Sequence, residues 1–183
     1  QQLCIDDVDI NELSRSSLRN HIALMSQTGH IFSAAIADNL RLANPAASTE
    51  QMRQVCDQVG LSNFIDSLEH GLDTWLGETG MGLSGGQKQR LQLAQVLLRD
   101  ARVLILDEPS KGLDSLTEQA MMQQIFDHVA SRHQTLLMIT HKPIMLQQMD
   151  VILVMAKGRI IAKGNHTSLM KDNEYYRDLL DYF

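Results

Sequence analysis

Two short stretches of this chain carry residue types that could handle a phosphorylated ligand. The first is Leu83-Ser84-Gly85-Gly86-Gln87. The second is Val103-Leu104-Ile105-Leu106-Asp107-Glu108-Pro109, which begins 19 positions after Ser84. Two glycines behind a serine let an anion approach the backbone closely. The amides of a helix's first turn then point at it, helped by the helix dipole. The Ser84 hydroxyl adds a hydrogen bond. The second stretch is an apolar run ending in two carboxylates. Asp107 suits Mg²⁺ held partly through water, and Glu108 suits a general base for an attacking water. His141 follows another apolar run and could bond a γ-phosphate or that water, stabilising charge in the transition state. Each piece also has a plainer reading: a turn with a helix cap, capping after a strand, and a packed histidine. Their combination is what points to nucleotide chemistry.

The elements that must hold these groups read as α/β. Residues 22–25 are a short apolar run, followed by Ser26-Gln27 and a loop through Gly29. Residues 48–73 read as helical with a break at Gly60, and 75–82 as a glycine-punctuated loop. A helix starts at Ser84, where Ser84 and Gln87 have capping-box spacing. Leu91, Ala94, Leu97 and Leu98 give it an apolar face. Residues 103–106 read as a strand buried on both faces. Ser115 and Glu118 read as a second capping box opening a helix to about residue 129, before another buried strand at 136–140. Residues 151–155 and 159–162 flank Lys157-Gly158 as a hairpin, and Thr167 opens a last helix to about residue 180. Strand, helix and strand across 103–140 form a βαβ unit. Its crossover is expected to be right-handed and its strands parallel, so both end on one sheet edge. Open α/β sheets bind ligands at that edge. Asp107, Glu108 and His141 are therefore expected to converge there.

Composition narrows the classes. A chain of 183 residues can bury a sizeable single core. A net charge of −6 leaves no basic footprint for nucleic acid. Cys4 and Cys56 lack metal or disulfide spacing and fit a reducing compartment. No apolar run approaches the ~18 residues of a membrane span. The ten methionines and Tyr175, Tyr176 and Tyr182 read as packing residues, and Trp75 as an anchor packed under its loop. No G-x-x-x-x-G-K-[ST] phosphate loop occurs. The chain opens Gln1-Gln2-Leu3 without Met, which reads as the start of a fragment.

With its motifs in this order, the chain resembles the nucleotide-binding domain of ATP-binding cassette (ABC) transporters over essentially its whole length. Residues 83–87 are similar to the signature motif and 104–109 to the Walker B strand. Leu113-Asp114 resembles the D-loop, His141 the switch histidine and Gln27 the Q-loop glutamine. Leu76-Gly77-Glu78-Thr79-Gly80 and Phe32-Ser33-x-x-Ile36-x-x-Asn39 look exporter-like. Residues 71–78 and 108–114 look most like the CydC half of a heterodimeric exporter of glutathione and cysteine that supports cytochrome bd assembly.

The resemblance implies a P-loop NTPase (RecA-like) ABC ATPase core with a helical subdomain, truncated at its N terminus. The Walker A loop, the strands before it and an adenine-stacking aromatic are expected upstream of Gln1, so the isolated chain is expected to be an impaired ATPase. It implies one partial domain over 1–183, with the helical subdomain and signature loop at about 28–85 and the Walker B and switch-histidine core at 86–183. The ligands implied are ATP and Mg²⁺. Glu108 and His141 would be catalytic, and Asp107 and Gln27 would hold the metal. Gln27, Ser84, Gly85, Gly86, Gln87 and Asp114 would bind nucleotide, the signature residues reaching the one held by the opposite subunit. The partners implied are a second nucleotide-binding domain and an exporter's transmembrane domain, with no nucleic acid, at the cytoplasmic face of the inner membrane. Two departures from the family pattern stand out. Ser110-Lys111-Gly112 replaces the commoner Thr-Ser-Ala, and Lys142-Pro143 follows His141 in place of Arg-Leu. Two other readings stay open. One is a non-catalytic cassette that offers only its signature face to a complete partner. The other is a DNA-repair or chromosome-maintenance ATPase, although residues 27–82 are too few for the long coiled coil such proteins insert.

Overall fold

The computed structural model describes residues 3–26, 29–80 and 82–181. The chain divides into two compact units at residues 138 and 139. In the first, β1 (Cys4–Ile5) and β2 (Val8–Asp9) form a small hairpin. Its turn residues Asp6 and Asp7 both have positive φ, as a two-residue hairpin turn requires. α1 (Arg15–His21) is capped by the Ser14 hydroxyl, which accepts from the Ser17 amide at 3.1 Å. It leads directly into β3 (Ile22–Met25). Then come α2 (Ile36–Arg41), α3 (Thr49–Gln58) and α4 (Ser62–Asp66). Gly60, at φ 69°, makes the expected break between the last two.

α5 (Gly85–Leu98) carries the expected apolar face, burying Leu91, Leu93, Ala94, Val96, Leu97 and Leu98. It packs on α2, α3 and β3. Full burial of one such leucine contributes roughly 1.5–3 kcal/mol, so this face fixes α5 firmly on the sheet and the helical layer. β4 (Val103–Asp107) runs parallel to β3, from Ile22 opposite Val103 to Met25 opposite Leu106. α6 (Ser115–Ser131) follows, and β5 (Thr135–Ile139) completes a sheet of order β3-β4-β5. The second unit holds α7 (Pro143–Leu146), a hairpin of β6 (Ile152–Ala156) and β7 (Arg159–Gly164), and α8 (His166–Asp172) and α9 (Glu174–Asp181). Lys157 and Gly158, both at positive φ, turn that hairpin. Its core is Leu146, Ile152, Val154, Leu169 and Tyr176.

The structure corrects several local expectations. Neither strand is buried on both faces. In β4, Leu104 and Leu106 are fully buried while Val103 and Ile105 are half-buried. In β5, Leu137 and Ile139 are about half exposed, at 50% and 54%. α5 covers the face bearing Ala23 and Met25, whereas Leu24 on the opposite face stays exposed. The box at Ser115 and Glu118 does not form. Asp114 is the N-cap of α6, its carboxylate accepting from the Thr117 amide at 3.0 Å. A carboxylate at that position also gains from the helix dipole, and Glu118 is released to accept from the Ser110 hydroxyl.

The final helix is two helices. Asn173 separates them because its side chain accepts from the Tyr176 amide, at 2.8 Å, as a cap does. Trp75 is exposed rather than packed, and its neighbour Leu76 is buried instead. The backbone here pairs with Ala35, and neighbouring residues of an extended segment face opposite ways. Tyr176 is buried but Tyr175 is exposed, and Tyr182 lies outside the described residues. Met25, Met52, Met121, Met122 and Met145 are buried as expected, while Met155 and Met170 are exposed.

Candidate functional site

The N terminus of α5 is built by local chemistry. Ser84 takes an extended conformation and caps the helix. Its hydroxyl accepts from the Gln87 amide at 3.2 Å, and the Gln87 side chain accepts from the Ser84 amide at 2.8 Å. The box therefore uses two amides and leaves those of Gly85 and Gly86, which have no acceptor within a helix. The Ser84 hydroxyl keeps its own proton for a further acceptor. Neither glycine is required by internal packing. A Cβ on Gly85 would meet nothing within 4 Å, and one on Gly86 would lie 3.7 Å from the Leu113 side chain. Their lack of side chains serves open space in front of the helix, which is the shape an approaching phosphate needs.

β4 delivers the two acids. Asp107 is its last residue and is half-buried. Glu108 leaves the strand at φ 47°, a left-handed conformation that costs a non-glycine residue energy and must be held in place. Its carbonyl accepts from the Gln89 side chain of α5 at 2.8 Å and from the Lys111 amide at 3.2 Å. Its carboxylate pairs with the Lys111 ammonium at 3.3 Å. The rest of the loop is tied down too. The Ser110 hydroxyl donates to Glu118, and both residues are buried. Leu113 donates its amide to the Ser110 carbonyl at 3.2 Å, with Gly112 at φ 77° completing the turn. Asp114 ends the loop as the α6 cap. Hydrogen bonds from the Thr117 hydroxyl and amide hold its carboxyl below the usual carboxylate value.

The structure thus sets the signature-like helix start and the acidic loop side by side. Gln89 bridges to Glu108 at one end of that loop, and Gly86 faces Leu113 near the other. His141 belongs to the second unit. It is half-buried, two residues after β5, next to Lys142, whose amide donates to the Thr140 hydroxyl at 3.1 Å. Pro143 then opens α7. Gln27 lies outside the described residues.

A single half-buried carboxylate at a strand end fits Mg²⁺, which keeps several waters and takes one or two protein carboxylates besides phosphate oxygens. No cluster of three or more His, Cys, Asp or Glu residues occurs among the described residues, so an all-protein metal cage is not the fit. The open glycine amides of α5 fit a phosphate donor set.

Sequence reasoning missed the polar side of α5. Gln89, Gln92 and Gln95 each donate to a backbone carbonyl of another segment, those of Glu108, Gly29 and Asn39. The signal was present as three glutamines at a spacing of three, which places them along one helix face. Asn39 in turn closes the loop before α2, accepting from the Phe32 amide at 2.8 Å and donating to the Phe32 carbonyl at 3.0 Å. Lys111, noticed only as a departure, is the ion-pair partner of Glu108.

Comparison with known proteins finds similar chains in one family. A family model described as ABC transporter matches residues 1–111. An ATP-dependent lipid A-core flippase of Pectobacterium atrosepticum is 42% identical over 97% of this chain and 30% of its own length. The glutathione/L-cysteine transport system ATP-binding/permease protein CydC of Haemophilus influenzae is 37% identical over 98% of this chain and 31% of its own length. The structure of a bacterial Atm1-family ABC exporter with ATP bound matches with a TM-score of 0.90 at 30% identity, over 99% of this chain and 31% of that one. The chain spans about 30% of the length of these curated relatives.

Proposed function

The chain belongs to the ABC transporter family, and on that premise we propose that it is the part of an exporter's ATPase cassette that carries the signature helix and the hydrolytic loop. The observation that carries this reading is the glycine-lined, capped start of α5 lying against the loop that begins with Asp107 and Glu108. Within it, 28–85 would serve as the helical subdomain with the signature loop, and 86–183 as the Walker B and switch-histidine core.

Bound Mg-ATP would supply the phosphoryl group and its counter-charge. Asp107 and Gln27 would hold the metal. Glu108 would accept the proton of the attacking water, and His141 would donate toward the charge that develops on the phosphate. Ser84, Gly85, Gly86 and Gln87 would receive the phosphates of a nucleotide held by a second cassette, completing a site that neither subunit owns alone. Asp114, anchored as the α6 cap, would reach the same interface. The partners would be that second nucleotide-binding domain and a transmembrane domain, at the cytoplasmic face of the inner membrane. No helix of the described residues is long and apolar enough to cross a membrane.

Thiol export of the CydC kind is the first cargo reading, supported by residues 71–78 and 108–114 and by the CydC relatives. Lipid export is the second, supported by the flippase relatives. The test of the ATPase reading uses the full-length protein. Glu108→Gln should leave ATP bound and slow hydrolysis by roughly 10²–10⁴-fold, the usual contribution of a positioned base. Asp107→Asn should instead weaken Mg²⁺-dependent binding. Normal turnover by Glu108→Gln would overturn the assignment.

A further inference from the structure

We infer that Gln89 is a positioning residue for Glu108, an inference that rests on reading Glu108 as the base. The Gln89 side chain donates to the Glu108 carbonyl at 2.8 Å, across 19 residues of sequence and in a partly buried setting. That carbonyl belongs to a residue in the left-handed region, at φ 47°. The conformation is uphill for glutamate and persists only where the surroundings over-determine it. Two donors do so here, one from within the loop and one from α5. The Lys111 amide closes the turn at 3.2 Å and moves with the loop. Gln89 ties the same oxygen to a different element. Fixing this carbonyl fixes the backbone rotation at Glu108, and with it the direction in which the carboxylate leaves the chain.

The position of Gln89 on α5 gives the bond a second consequence. It stands three residues after Gly86, on the helix whose first turn presents the open glycine amides. α5 also borders the far part of the loop, where Gly86 faces Leu113. The buried face of α5 runs from Leu91 to Leu98, directly after Gln89, and anchors the helix that carries both groups. A phosphate received by Ser84, Gly85 and Gly86 would therefore contact the same helix that holds the Glu108 peptide.

Two substitutions in the full-length protein separate this role from ordinary helix–loop packing. Gln89→Glu keeps size and shape but replaces the donor with an acceptor facing a carbonyl. Gln89→Lys keeps a donor of similar reach. Steady-state ATPase assays should give a kcat roughly 10–100-fold lower for Gln89→Glu, the scale of a misplaced reacting group, with KM for Mg-ATP within about 2-fold. Gln89→Lys should restore at least about a third of normal kcat. Added to Glu108→Gln, Gln89→Glu should lower the rate no further, because both act on one group. Normal kcat in Gln89→Glu, or equal losses in both Gln89 variants, would overturn the inference. If Glu108→Gln is slow while Gln89→Glu turns over normally, the inference alone fails. If Glu108→Gln is itself normal, the reading beneath it fails.

Discussion

Glu108, the proposed base, illustrates how little of a residue's setting is written in its own side chain. Asp107 and Glu108 were legible because two acids at the end of an apolar run are chemically conspicuous. Their support was not. Gln89 bonds a carbonyl, and any residue type carries one, so no spacing rule announces the pairing. Lys111 reads as an ordinary surface lysine until the loop's turn brings its ammonium to Glu108. Reactivity at the two cysteines follows the same logic of surroundings over type. Cys56 lies in the core at 1% exposure, and burial pushes its thiol up to about 12, although Arg53 pulls the other way. The thiolate is the nucleophile, so Cys56 should be inert, whereas Cys4 is exposed. In native protein treated with a maleimide at pH 7.5, peptide mapping should find Cys4 labelled and Cys56 unlabelled, with Cys56 labelled only after denaturation. Rapid labelling of Cys56 in native protein would contradict its burial.

At the scale of elements, the sequence spoke where local rules are strong. The α5 box at Ser84 and Gln87 forms as spaced, because a cap needs nothing beyond its own turn. The box at Ser115 and Glu118 failed because Asp114 offered a better acceptor one residue earlier. α1 and α2 are too short for a helical period to register. The apolar run of β5 could not reveal that one face of its sheet stays open.

α6 adds a buried titratable group. His128 is 4% exposed, with Nδ1 facing the Gln58 side chain at 3.1 Å and Nε2 buried without a partner. Burial, together with the nearby charge of Arg132, pushes its pKa down to about 4 from an ordinary 6.5. The unfolded chain therefore binds this proton more readily than the folded one. The neutral histidine's contribution is complete above pH 6.5 and is lost progressively as pH falls from 6.5 toward 4. Thermal unfolding followed from pH 7.5 to 4.5 should lose Tm more steeply in wild type than in His128→Gln. Equal slopes would show that His128 does not carry this dependence.

Over the whole molecule, the described residues form two units, and the groups assigned to one reaction are divided between them. Asp107, Glu108 and the signature helix belong to the first and His141 to the second. Family membership came through clearly because motif order is preserved along the entire chain. Cargo did not, since neither the signature nor the acidic loop touches it in the proposed mechanism, and the relatives that match this chain are named for different cargo, lipid A-core in one case and glutathione/L-cysteine in another. The central claim is a division of labour. In it, Asp107 and Glu108 would act on the chain's own nucleotide, while Ser84, Gly85 and Gly86 would hold the one bound by a partner. Gly86→Asp places a side chain and a negative charge where phosphate must approach. Its Cβ would meet its own chain only at an ordinary 3.7 Å, so the fold should tolerate it. In full-length protein carrying Glu108→Gln and a cysteine pair across the dimer interface, two readouts follow. Azido-ATP should still label the Gly86→Asp subunit to within about 2-fold, while the ATP-dependent crosslink disappears. Loss of that subunit's own labelling with the crosslink intact would place the signature on its own nucleotide, and the shared-site account would be wrong.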